Sequence, residues 1–244
     1  MPPDTRLKFL LYSKLAVHKR AVNQAKANVT EWLTRVSNPY IAFSGGKDST
    51  CVLNLVREQR PETIAVHFDA DCNFPEVDIA VNNMPNCLIR KSDEPYLETL
   101  SRFNFGEDEG DFTMKSTVWN PIKRLISEFN FDGVCYGLRA AESHGRRMNA
   151  KRGAVFQYKR DDLWACQPIV KWNYNDVWAY IVSSNLNYCG TYDKMWDMPE
   201  DDQRVSYWAG ETKRTYGRWA WLKRNYPDLF NLLRAKFPEA ASYV

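Results

Sequence analysis

Six consecutive residues, Ser44, Gly45, Gly46, Lys47, Asp48 and Ser49, bring two hydroxyls, an ammonium, a carboxylate and two glycines into one bend. Residues of these types at this spacing bind anions. Glycines accept backbone angles that turn successive N–H groups toward one spot, and the positive end of a following helix points there too. The anion this chemistry suits is a nucleotide phosphate. Further along, Asp69 and Asp71 close an apolar run. Two carboxylates at that place suit a magnesium ion, a hard cation that takes oxygen ligands. Arg139 and Arg146 then follow in a basic stretch from Gly137 to Arg160. Guanidinium groups match phosphate and sulfate geometry with paired donors.

The elements that must hold these residues are written around them. Tyr40 to Phe43 is short and apolar and predicts a buried strand before the bend. Val52, Leu53 and Val56 give the next stretch an apolar helical face, with Asp48 and Ser49 as its expected caps. Thr63 to Ala70 predicts a second strand. Strand, helix and strand in that order make a βαβ unit and a parallel sheet. Ligands of such sheets lie at the carboxyl ends of the strands. Cys87 to Ile89 predicts a third strand, and Asp93 to Phe103 and Trp119 to Phe129 predict helices, with the acidic "NFGEDEGDF" as a loop. Asp132 to Arg139 predicts a strand that delivers Arg139 to the carboxyl edge of the sheet. Upstream, Arg6 to Arg35 predicts a long helix or helical pair. Its inward face carries Leu7, Leu10, Leu11 and Leu15, then Val22, Ala25, Val29 and Leu33.

Composition bounds the rest. The chain of 244 residues is 44% apolar and 26% charged, which reads as a water-soluble globular protein rather than a disordered or membrane-spanning one. A net charge of +3 is too small to argue for nucleic acid by itself. The N-terminal stretch lacks the pattern of a signal peptide. The six cysteines contain no C-x-x-C pair, so neither a zinc ribbon nor a four-cysteine cluster is expected, and a reducing cytoplasm is the expected compartment. Cys51 and Cys135 sit among apolar residues and are expected in the core.

The bend is not the usual P-loop. Ile41 stands where the first glycine of that pattern belongs, and Asp48 follows Lys47 where Ser or Thr should. Ser44 to Ser49 instead resembles the SGG-x-D-S loop of the PP-loop superfamily, the adenine nucleotide alpha hydrolases. That group includes N-type ATP pyrophosphatases, the ATP sulfurylase small subunit and phosphoadenylyl sulfate (PAPS) reductase. Asp69, Phe74, Pro75 and Glu76 match the D-T-G-x-x-F-P-E-T signature of the sulfurylase and reductase branch, with Asp71 at its Gly and Val77 at its last Thr. Gly137, Arg139, Glu142, Ser143 and Arg146 match a G-x-R-x-x-E-S-x-x-R element whose positions in that family face phosphates or sulfate. Pro168, Trp172, Asp176, Val177, Trp178, Tyr180 and Ile181 match a packing signature, with Trp172 expected to border the site. "NLNYCGTYDKMW" resembles the segment that follows, so the likeness runs from about Tyr40 to Lys194.

The resemblance implies an α/β fold, a Rossmann-like (HUP-type) parallel twisted sheet flanked by helices. Residues 1–38 would form an N-terminal helical segment, 39–194 the nucleotide-binding domain and 195–244 an aromatic-rich helical extension. It implies ATP or PAPS as ligand, with Mg2+. Ser44, Gly45, Gly46, Lys47, Asp48, Ser49, Asp69 and Arg139 would bind the nucleotide, Lys47, Asp48, Arg139 and Arg146 would act in catalysis, and Asp48, Asp69 and Asp71 would hold the metal. The reductases end in a Glu-Cys-Gly-x-His tail, whereas no cysteine follows Cys189 here, so thiol-based reduction is not expected. The expected reaction splits ATP into AMP and pyrophosphate to adenylate or sulfur-modify an unnamed acceptor. Three alternatives stand beside it. One is a PAPS-using enzyme with a partner thiol. Another is a nucleic-acid-acting protein, from Trp208, Tyr216, Trp219, Trp221 and Tyr226 interleaved with Lys213, Arg214, Arg218, Lys223 and Arg224, although helical packing explains that tail better. The third is a non-catalytic nucleotide sensor, suggested by Asp71. A partner protein and a second copy of the chain are retained as partners, a membrane is not, and His144 is a minor acid–base candidate.

Overall fold

The computed structural model describes residues 1–102, 118–159, 162–209 and 216–244. The expected loop "NFGEDEGDF", Phe103, Lys213 and Arg214 lie outside the described residues. Two helices, α1 (Pro3–Ser13) and α2 (Ala16–Leu33), precede β1 (Pro39–Ala42), α3 (Lys47–Arg57), β2 (Ile64–Asp69), α4 (Pro75–Asn82) and β3 (Cys87–Lys91). Then come α5 (Tyr96–Arg102), α6 (Asn120–Phe129), β4 (Gly133–Tyr136), α7 (His144–Ala150), β5 (Val155–Tyr158), β6 (Leu163–Cys166) and α8 (Tyr174–Ser183). The tail carries α9 (Tyr216–Asn225) and α10 (Pro227–Lys236).

The six strands form one sheet in the order β3-β2-β1-β4-β6-β5. All neighbours are parallel except β5, which runs antiparallel to β6 with Val155 opposite Cys166. The expected parallel sheet is thus present with one antiparallel edge, and β5 and β6 were not foreseen. In the register Tyr40 pairs with Ile64 on one side and Val134 on the other. Chain order runs outward from β1 to β2 and β3, then restarts at β4 on the opposite side. The carboxyl ends of β1 and β4 therefore flank the switch point of the sheet, where ligands of open α/β sheets bind.

Strand side chains alternate between two cores. Ile41, Phe43, Ala65 and Cys135 join a large cluster with α1, α2, α3, α8 and the tail helices. Tyr40, Val66 and Val134 point the other way, against Leu125 of α6 and Phe131. Cys51 and Cys135 are fully buried, as expected. The large cluster runs from Phe9 through Val52 and Trp178 to Trp219 and Leu233, so the N-terminal helices and the tail share one interior with the sheet.

Two expectations about faces are corrected. On α1 the buried residue is Phe9, while Leu7 and Leu11, and Leu15 just past its end, are exposed. The aliphatic spacing was helical, but its stripe faces out because Phe9 packs against Trp178 and Tyr174. On α2, Ala25 and Val29 do face in, with Trp32. In the tail, Trp208, Trp219, Trp221 and Tyr226 are buried, so these rings cannot stack bases. Among the described residues no helix is long and apolar enough to cross a membrane.

Candidate functional site

A cavity of about 310 Å³ opens at the carboxyl ends of β1, β2 and β4. Ser44, Gly46, Lys47, Asp48 and Ser49 line it, with Gly137, Glu142 and Arg146 from the β4 side. Gly45, Arg139, Asp69 and Asp71 are not on its wall. Gly45 instead shapes the bend from behind. Its φ is +72°, and a Cβ there would meet Val77 at 3.2 Å, so a side chain would meet both strain and crowding.

The bend bonds to itself. The Ser44 N–H donates to Ser49 Oγ at 3.2 Å, and the Ser49 hydroxyl donates to the Gly46 carbonyl at 2.9 Å. Gly46 begins α3 without a side-chain cap. Ser49 is therefore spent inside the loop, and Asp48 turns away from the helix end, which corrects their expected capping. The Lys47 N–H donates to the Tyr192 hydroxyl at 3.0 Å. A side chain from 145 residues downstream thus occupies one of the amides that the sequence offers to a phosphate.

Asp48 is tied to β4. Arg139 Nε donates to Asp48 Oδ1 at 2.5 Å, and Lys47 Nζ lies 3.2 Å from Oδ2. Burial alone would raise the Asp48 carboxyl, but Lys47 and Arg139 beside it more than offset this and hold it below the ordinary carboxylate range. Arg139 is itself buried and pushed the other way: burial lowers it, and Asp48 and Glu142 raise it above the usual guanidinium value. Gly137 permits this closeness, since a Cβ on it would sit 2.7 Å from the Asp48 backbone. Glu142 accepts from the Arg139 N–H at 3.0 Å and pairs with Arg146, which stays partly exposed at the cavity.

The buried Lys47 ammonium donates to the Gln203 carbonyl at 3.1 Å. Arg204, Val205, Ser206 and Tyr207 continue from that point along the cavity wall. Arg218 holds this segment by donating to the carbonyls of Arg204 at 2.9 Å and Tyr207 at 3.3 Å. Tyr207 stacks on Tyr96 with ring centres 4.2 Å apart. No local pattern marks Arg204 or Tyr207 as site residues. His67 was also missed. It lines the cavity, its Nδ1 donates to the Phe43 carbonyl at 2.9 Å, and its Nε2 then accepts from Asn73 at 3.3 Å. Burial lowers its pKa and favours the neutral ring. Its place near the end of the predicted second strand was the available signal.

The expected metal trio is corrected. Both Asp48 oxygens face Arg139 and Lys47. Asp69 Oδ1 accepts from the Asp71 N–H at 2.9 Å and from Asn73 at 3.1 Å, and Asp71 pairs with Lys91 at 2.9 Å. Asp69 and Asp71 line a neighbouring cavity, and among the described residues no three metal-ligating side chains come together. Asp71 has φ +54°, a conformation that Gly adopts freely and Asp tolerates. That explains how Asp can stand at the position matching the family's Gly. Trp172 is also corrected: it is buried, and its Nε1 donates to the Ala21 carbonyl on α2, away from the cavity. His144 is the exposed first residue of α7 and not on the cavity wall.

Comparison with known proteins matches this geometry to a family. The profile of the phosphoadenosine phosphosulfate reductase domain matches residues 38–198, well over half of the chain. The chain belongs to that family. Among curated relatives of this PAPS reductase-domain chain, sulfate adenylyltransferase subunit 2 of Shewanella amazonensis is 26% identical over 184 residues. The match covers 64% of this chain and 60% of that protein, so the chain spans well under the relative's full length. PAPS reductase from Candida auris, solved as a phosphate complex, superposes with a TM-score of 0.58 at 16% identity, covering 78% of this chain and 90% of that one. FMN adenylyltransferase from Candida glabrata, in complex with ATP, gives 0.55 at 18% identity over 74% of this chain and 60% of that one. These structural likenesses concern the fold, and the proteins named are enzymes. Residues 204–207 of the cavity wall lie beyond the region that the family profile matches.

Proposed function

We propose that this protein is a PP-loop adenine-nucleotide enzyme that splits ATP between its α and β phosphates and passes the adenylate to an acceptor. The observation that carries the reading is the Asp48–Arg139 pair, which fastens the Ser44–Ser49 bend to the β4 edge around one cavity. In the reaction the bond from the α phosphorus to the bridging oxygen breaks, pyrophosphate leaves with the electron pair, and an acceptor oxygen bonds to the α phosphorus. The Gly46 and Lys47 amides and the Ser44 hydroxyl would bind the phosphates, while Ser49 braces the bend from within. The Tyr192 hydroxyl would have to yield the Lys47 amide for that. Arg146, the guanidinium on the cavity wall beside Glu142, would offset developing charge. Asp48 and Arg139 act as positioning residues. Such catalysis rests on placement and electrostatics, without a covalent nucleophile. Asp48, Asp69 and Asp71 do not fit a shared magnesium site.

PAPS is the second reading for the ligand, favoured by the family match and the reductase relative. The relative named as a subunit supports a protein partner for this chain. All six cysteines are free thiols, in keeping with a reducing cytoplasm. Calorimetric titration with ATP and with PAPS, together with a pyrophosphate-release assay, tests the proposal. ATP binding with release that Arg146→Ala slows supports it, tighter PAPS binding without release selects the second reading, and absence of any adenine-nucleotide binding rejects both.

A further inference from the structure

The segment from Gly137 to Arg160 carries seven Lys and Arg against a single carboxylate, Glu142. The whole chain is only +3, so everything outside this segment is net negative. Arg139 and Arg146 are used on Asp48 and Glu142. Arg147 on α7, Lys151 and Arg152 in the turn after it and Lys159 just past β5 are exposed. Several cations elsewhere on the surface are neutralised: Arg35 by Glu31, Arg60 by Glu62, Arg90 by Glu128 and Arg224 by Asp197. Among the described residues no carboxylate pairs with Arg147, Lys151, Arg152 or Lys159. Concentrated charge without counter-charge costs stability by self-repulsion unless something negative covers it. Arg152 also lies over the rings of Phe156 and Tyr158, at 5.5 Å and 5.9 Å, which holds its guanidinium at the surface.

The patch starts one residue from the cavity, since Arg147 follows Arg146 of the cavity wall on α7. We propose that this α7–β5 face docks the phosphate backbone of a single-stranded nucleic acid and presents one of its nucleotides to the cavity as the acceptor. Repeating phosphates match a row of unpaired cations in a way that one small anion does not. The cavity of about 310 Å³ is taken by ATP in the proposed reaction, so the acceptor nucleotide would meet it at the cavity mouth. A duplex would have to expel a base before that base could reach the mouth. The buried tail rings take no part. Docking itself is independent of the ATP reading; only the word acceptor rests on it.

The test uses the full chain and a labelled single strand of about 16 nucleotides, followed by fluorescence anisotropy. Four phosphate contacts predict that log affinity falls with log salt at a slope of about −3. Combined Arg147→Glu, Lys151→Glu and Arg152→Glu substitution is expected to weaken binding roughly 100-fold, and the matching glutamine triple to weaken it less. Should the reversed variant fail to fold by circular dichroism, the glutamine triple decides. No binding by the unaltered protein at low salt overturns the proposal, as does unchanged binding by the variants. Equal affinity for poly-glutamate overturns nucleic acid as the partner, and equal affinity for a duplex overturns the single strand. ATP binding is titrated in parallel and should not change in the variants. Its absence from the unaltered protein would remove the nucleotide reading while leaving the docking result readable.

Discussion

Arg139 and Asp48 stand 91 residues apart in the chain, yet Arg139 Nε donates to Asp48 Oδ1 at 2.5 Å. The pair is mostly buried, with Lys47 on the far oxygen of the carboxylate. It joins the first turn of α3 to the turn after β4 and so sets the width of the cavity between them.

Breaking that pair should be costly. Asp48→Asn leaves two buried cations without their carboxylate, and a loss of about 3–5 kcal/mol is expected in urea unfolding. The combined Asp48→Leu and Arg139→Met variant should lie closer to the original, since no lone charge remains. Because the Asp48 carboxyl is held below its ordinary value, its share of the stability is complete above about pH 4 and drains away as pH falls through the lowered value. Unfolding curves in acid should show that loss in the original protein and a smaller one in Asp48→Asn.

Two glycines of the same region should respond oppositely to alanine. A Cβ on Gly137 would fall 2.7 Å from the Asp48 backbone, whereas nothing lies within 4 Å of one on Gly145. Gly137→Ala should therefore cost about 1–3 kcal/mol and widen the site. Gly145→Ala, inside α7, should be neutral or stabilise by about 0.5–1 kcal/mol. Thermal melts of the two variants check the contrast.

Tyr192→Phe removes the oxygen that accepts from the Lys47 amide. The amide is then unpaired in a buried loop, at a cost of about 1–3 kcal/mol to the free protein. A bound phosphate that takes the same amide recovers this cost. ATP should thus raise the melting temperature of Tyr192→Phe by more than it raises that of the original. An equal rise would mean that phosphate never reaches the Lys47 amide.

Trp221 is buried, donates from Nε1 to the Lys194 carbonyl at 2.7 Å and meets Phe74 edge to face. Trp221→Ala should cost about 3–5 kcal/mol in chemical unfolding, as for other large core side chains. It should leave any affinity for a nucleic-acid strand unchanged in the folded fraction, which anisotropy can read.

Local pattern carried the sequence a long way. Tyr40–Phe43, the glycine bend and the apolar face of α3 announce a strand–turn–helix because their signals span only a few residues. Period and turn chemistry need no knowledge of distant neighbours. They misjudged α1, where Leu7 and Leu11 repeat like a buried face while Phe9 takes the contact with Trp178. They also passed over β5 and β6, four residues each, too short for alternation to show.

By itself the sequence determined the family loop, the sheet-forming runs and which arginines cluster after β4. Only the tertiary structure decided that Asp48 faces Arg139 rather than a metal, that Tyr192 holds an amide of the bend, and that Lys47 bonds the Gln203 carbonyl. Those partners lie 91, 145 and 156 residues away. The energy of such contacts depends on distance in space and on exclusion of water, and neither is encoded in the spacing of residues along the chain.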